Sequence, residues 1–286
     1  PGLHRADGPI SLNVGVGGTI NKAEWSIDAA LRSVTVQGDW FPHPIETISG
    51  VVSFTADETR FRALEAQGAD QGWLERDPLL VGSAPILSRF DGLKGGLGGG
   101  AVSVTGGWMA NRWKPTDFTI AGTVTNGRVR YLEDFPAATG DAALTFDGPV
   151  GELLLAGRVN VAEMIFSDRI SWEDSLFQPS VDGVVGLALD EEEPWFSMDI
   201  DLVADNTIRI RNNLADMVAG GSLKVVGDTK QPGMVGNVRC LPGGTVFLKE
   251  REFEVQRAEL HFVDPFSYDP DVDLLLATDI RTRNEQ

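Results

Sequence analysis

The sequence predicts an all-β protein built mostly from antiparallel strands, and three observations carry that expectation. Short runs alternate apolar and polar side chains with the period of two of a half-buried strand. Gly, Asp, Asn or Pro bounds each run, and the starts recur about every ten residues, the all-β spacing. No stretch of useful length holds the 3.6-residue period of an amphipathic helix.

The runs appear in order along the chain. ISLNVGV, ALRSVTVQGDW and GVVSFTA come first. AVSVTGGW, FTIAGTVTNGRVRY, AALTFDG and ELLLAGRVNV follow, then WFSMDIDLVA, TIRIRN and SLKVVGD. GTVFLKE, EFEVQ, AELHFVD and DVDLLLATDI close the series, and roughly twenty strands are expected in all. Glycines such as Gly50, Gly106, Gly157 and Gly236 close many runs, where they permit tight reversal. The repeats keep no fixed period, so a strict β-helix is not expected. ETRFRALEAQGA (58–69) reads as one short helix or a strand pair, and 77–93 has no clear pattern. Residues 1–200 form irregular β repeats and 201–286 are more regular, with no Pro- or Ser-rich linker between them.

Composition limits the function classes. The 286 residues suffice for a sizeable core. The net charge of −18, from 42 acidic against 24 basic residues, argues against nucleic acid, whose binding rests on Lys and Arg. It also argues against broad adhesion to anionic lipid and fits an exported, self-repelling protein. Cys240 is the single cysteine, which excludes an intrachain disulfide. The chain starts at Pro1 and stops in RTRNEQ directly after a strand-like run, so it reads as a piece of a longer protein.

Catalytic, cofactor and metal sites find no support in the residues. His4, His43 and His261 are scattered without ligand spacing, and His261 is expected to face solvent from a strand. DPDVDLLLATDI opens like a calcium loop with Asp269, Asp271 and Asp273, but Leu274 stands where glycine belongs and Ile280 where glutamate belongs. The acidic run 190–193 reads as a solvated turn. GGLGGGAVSVTGG (95–107) precedes a strand, whereas phosphate cradling needs a helix start. Trp108 and Trp113 read as packing rather than a sugar platform. No enzyme is expected.

EFEVQRAELHF (252–262) carries the sharpest local signal, because its alternation slips by one at Gln256-Arg257. A two-residue hairpin there resets the register so that both halves present apolar side chains to one side. The expected apolar face carries Ile208, Ile210, Leu223, Val225, Val246, Leu248, Phe253, Val255, Leu260, Phe262, Val272, Leu274 and Leu276. Arg209, Lys224, Glu254, Glu259 and Asp273 fall on the opposite parity. A second sheet of the same chain covers such a face in a sandwich; the alternative is a surface left open for an apolar ligand.

The string NTIRIRNNLADMVAGGSLKVVGDTKQPGMVGNVRC and its continuation to DVDLLLAT carry a family resemblance. Ile208 and Ile210 come first, then Leu214-Ala215 and Gly221-x-Leu223-x-Val225 closed by Gly227. Gln231-Pro232, Phe253-x-Val255, Phe262 and Asp269-Pro270 follow in order. Residues 202–281 strongly resemble the C-terminal domain of the TamB family, AsmA-like proteins of the Gram-negative envelope. Residues 45–165 resemble its weaker repeats. Ala258 departs from the family's usual glycine and keeps a small side chain.

The resemblance implies an elongated, mostly antiparallel sheet curled into a taco-like groove with an apolar lumen. Residues 201–286 would be the C-terminal β domain, truncated at its end and continuous with the first part. It further implies a periplasmic position in a parent anchored to the inner membrane, and an outer-membrane β-barrel partner of the TamA or BamA kind. The implied function is passage of phospholipid between membranes, with support of outer-membrane protein assembly. Such a groove has a physical use. Each methylene moved into water costs ~0.8 kcal/mol, so two acyl chains of ~16 carbons cost on the order of 25 kcal/mol when bare. The alternative is a structural or adhesive β-domain with a closed core and no lipid.

Overall fold

The computed structural model describes residues 3–19, 22–38, 41–55, 86–111, 114–130, 136–167, 194–248, 251–266 and 270–278. The segment 58–69, residues 77–85, the acidic run 190–193, Asp269 and Trp113 lie outside the described residues. Every described strand belongs to one fifteen-stranded sheet, and the described residues contain no helix.

β1 (Leu3–Asp7) and β2 (Ile10–Thr19) lie end to end along one side of β3 (Lys22–Gly38). The chain then meanders through β4 (Phe41–Thr55), β5 (Ile86–Leu97), β6 (Gly100–Asn111), β7 (Lys114–Val129), β8 (Ala138–Pro149) and β9 (Leu153–Phe166). Each of these pairs antiparallel with the one before. β10 (Phe196–Arg211) joins β9 in parallel, and β11 (Ala215–Asp228) returns antiparallel. β12 (Pro232–Cys240) and β13 (Thr245–Leu248) share the far side of β11, and β14 (Arg251–Phe262) spans both. β15 (Asp271–Ala277) ends the sheet.

Fifteen strands, not twenty, are described, and they occupy thirteen positions because β1 sits beside β2 and β12 beside β13. Twelve spacings of ~4.8 Å give a span of about 58 Å, shorter than the ~100 Å that twenty stacked strands imply. Among the described residues, two pairs of runs that read as separate strands each form one interrupted strand: WFSMDIDLVA with TIRIRN, and EFEVQ with AELHFVD. The expected hairpin at Gln256-Arg257 is such a case. β14 runs unbroken from Arg251 to Phe262, and Gln256 is the extra residue between Val255↔Leu276 and Arg257↔Leu275. A bulge flips side-chain parity as a hairpin does, which is why the pattern alone misassigned it. The same device interrupts β7 at Asn126 (φ 53°) and β3 at Ser33 (φ 54°).

The sheet curls toward one face. Beyond the tip of the β5–β6 hairpin, the Arg130 amide donates to His43 Nε2 at 2.8 Å, joining strands that β5 and β6 otherwise separate. In a flat sheet three spacings hold such groups about 14 Å apart. Phe54 on β4 meets Trp108 on β6 edge-on at 6.0 Å across β5, where the smaller Ser88 lies between them. Phe146 on β8 likewise reaches Phe196 on β10 at 5.7 Å across β9. Two glycines allow the bend. Gly106 (φ +120°) and Gly157 (φ +138°) sit mid-strand, where a Cβ would stand 2.0 Å from the Thr119 carbonyl oxygen and 2.1 Å from that of Ala143. Only glycine tolerates both the backbone angle and the approach.

Candidate functional site

Strand register assembles the concave face from residues far apart in sequence. One row begins Leu12–Ala29–Val52–Phe90–Gly106, each directly opposite the next. It continues Ile120–Phe146–Leu155–Met198–Gly227–Pro232, so eleven strands contribute no polar side chain to it. A neighbouring row runs Val102–Val124–Ala142–Val159, then Leu202–Leu223–Gly236–Phe262. The residues of such rows face the same side of the sheet because paired residues share a face.

The thirteen apolar residues named from the C-terminal sequence lie on this face by register. Ile208 and Ile210 stand opposite Ala219 and Met217, and Leu223 and Val225 opposite Leu202 and Ile200. Val246 links Ala215 to Phe253, while Leu248 stands opposite Arg251 at the hairpin end. Val255 faces Leu276, Leu260 joins Val238 to Val272, and Phe262 stands opposite Gly236. Leu274 completes a row with Ala219, Cys240 and Ala258. Val255 is fully buried, Val272 is 64% and Leu274 46% exposed, and the other ten are half-buried. A closed core would seal most of them; here the face is lined but partly open.

Sequence reasoning missed most of the face. Met234, Val238 and Cys240 on β12 belong to it, as does the whole set from β2 to β9. At its N-terminal end Ile10, Leu12, Val14 and Val16 are exposed on β2. The signal was present as alternation in each run, but only pairing shows which parities align.

One recess breaks the open profile. A cavity of about 420 Å³ opens among Phe54, Ile86, Trp108, Ala110, Pro115, Phe118 and Ile120, near the ends of β4 to β7. Trp108 packs its ring against Phe54 and Phe90, at 6.0 and 5.9 Å.

The opposite face is largely polar and ion-paired, with Leu87, Met109, Leu154 and Leu275 among its apolar exceptions. Lys224 Nζ lies 2.6 Å from Asp199, and this hydrogen bond raises the lysine above its ordinary range. Arg158 pairs with Asp201 at 3.6 Å and Arg257 with Asp273 at 3.0 Å. Thr119 donates to Asp147 at 2.8 Å. His261 sits on this side, 2.6 Å from Asn237 Oδ1. Asp271 and Asp273 lie on β15, and no group of three potential metal ligands occurs among the described residues.

The family model of the TamB C-terminal domain matches residues 91–286, more than half of the chain. The chain belongs to the TamB family. The matched stretch starts inside β5, and Ile200 and Asp201 lie inside β10. No curated protein matches the chain. Membership places it among the AsmA-like envelope proteins of Gram-negative bacteria, a family that works with a TamA-like partner. The all-β, curled antiparallel sheet is the taco-like architecture expected of a TamB domain.

Proposed function

We propose that the concave face is a groove for phospholipid acyl chains. In this reading the chain is a segment of a periplasmic bridge between the inner and outer membranes. Its observational support is the apolar row from Leu12 to Pro232, unbroken across eleven strands and bordered by an ion-paired outer face. Acyl chains lie along such a trough and escape the cost of water, while headgroups stay at the open side. The half-exposure of Leu260, Phe262 and their neighbours favours this over a closed adhesive or structural core. No bond is made or broken; the work is shelter and guidance. The parent, anchored in the inner membrane, would deliver lipid toward an outer-membrane β-barrel of the TamA or BamA kind and so support assembly of outer-membrane proteins.

The test is lipid analysis of the chain purified without detergent from Gram-negative cells. Native mass spectrometry is expected to show species heavier by whole phospholipids, with the lipid identified after solvent extraction. A chain that emerges free of lipid, and stays free after incubation with phospholipid vesicles, overturns the groove and leaves a β scaffold.

A further inference from the structure

The recess at the ends of β4 to β7 differs from the rest of the groove, and the difference is physical. Along most of the concave face the apolar side chains are half-buried and open to one side. At the recess one part of the wall, on β5 and β6, is packed on both sides: Ile86 is 7% and Ala110 3% exposed on the concave side, and Leu87 and Met109 are buried behind them, while Phe54, Trp108, Phe118 and Ile120 stay half-buried. A wall held from both sides keeps its shape when empty, so this part of the recess is preformed. Trp108 is held by an edge contact with Phe54 and a tilted contact with Phe90, which leaves little conformational entropy to lose on binding.

We propose that this recess is a holding site for one acyl chain of a phospholipid, at which lipid pauses rather than slides. The inference rests on the groove reading and deepens it. Size fits the occupant: about 420 Å³ lies at the small end of the range of ligand sites, the scale of a single slender chain. Chemistry fits it too. Phe54, Ile86, Trp108, Ala110, Phe118 and Ile120 offer no charge, and apart from the single indole N–H of Trp108 their side chains give a headgroup or a peptide backbone nothing to satisfy its polar atoms.

The experiment uses the full chain and vesicles of phosphatidylethanolamine carrying a photoreactive diazirine at the end of one acyl chain. After illumination, adducts are mapped by peptide mass spectrometry. Adducts are expected to concentrate on residues 86–111 and 114–120. The Ala110→Trp variant, which fills the recess, is expected to lower them about tenfold, as if two methylenes were returned to water, with adducts elsewhere unchanged. Ile120→Trp fills the same space from the opposite wall and serves if Ala110→Trp fails to fold by circular dichroism. Adducts spread evenly along β5 to β12, or unmoved by either folded variant, overturn the holding site while leaving the groove intact. No adducts on any strand overturn the groove itself.

Discussion

Leu260 and Val255 lie on one strand and one face, yet arginine at the two positions is expected to behave oppositely. Leu260 is half-buried between Val238 and Val272, and Val272 is itself 64% exposed, so solvent is near. Full burial of a leucine contributes about 1.5–3 kcal/mol, hence about 1 kcal/mol for a half-buried one. The arginine stem recovers part of that by lying along the apolar wall with its guanidinium in water. Leu260→Arg should therefore lower the melting temperature by about 2 °C in a chain of this size. Val255 is fully buried, and its amide and carbonyl are tied to Gly244 and Gly243 at 2.7 and 3.0 Å. Val255→Arg buries an unpaired charge at a cost of several kcal/mol and should leave the chain largely unfolded. Differential scanning calorimetry measures the contrast, and native mass spectrometry reads bound lipid in the same samples. Leu260→Arg is expected to fold and to retain about tenfold less phospholipid, the equivalent of two displaced methylenes. Equal collapse of both variants would show that the face is a sealed core. A folded Leu260→Arg with undiminished lipid would show that this end of the face does not touch lipid.

Three further outcomes are expected. Ser88 is completely buried with its hydroxyl unpartnered, so Ser88→Ala should raise stability by about 1 kcal/mol in urea titration, since it removes an unmet hydrogen-bond requirement. Gly157→Ala forces a side chain onto the Ala143 carbonyl at positive φ and should cost about 1–3 kcal/mol by the same titration. Burial pushes the Cys240 thiol up, so the folded chain holds that proton more tightly than the unfolded chain does. Its stabilising share is therefore present at neutral pH and lost as pH rises through and beyond the thiol's ordinary range. Maleimide labelling at pH 8 should be slower for the folded chain than in urea, and slower again when lipid fills the groove.

The class of the fold was legible because alternation is a local property that each run displays by itself. The number of strands was not, because a bulge and a turn leave the same mark on parity. Gln256 in β14 slips the pattern without ending the strand and so reads as a turn, whereas the run through Asn126 reads as a single strand, as β7 is. Strand direction was equally hidden. β9 and β10 alternate like their neighbours, since side chains keep a period of two in parallel and antiparallel ladders alike. Of the concave face, the C-terminal share could be named from Ile208 to Leu276 because those runs are regular. The recess could not, because Phe54, Trp108 and Phe118 meet only through pairing and curl.

The parallel joint between β9 and β10 carries a consequence for how the molecule acquires its shape. β3 to β9 are paired in chain order, with only β4 and β5 far apart in sequence, and β10 and β11 are likewise chain neighbours paired with each other. Where Leu155 meets Met198, no tight turn aligns the two halves, so their alignment must await side-chain matching between blocks already formed. Refolding should accordingly proceed in two stages, with amide protons at this seam the last to gain protection from exchange.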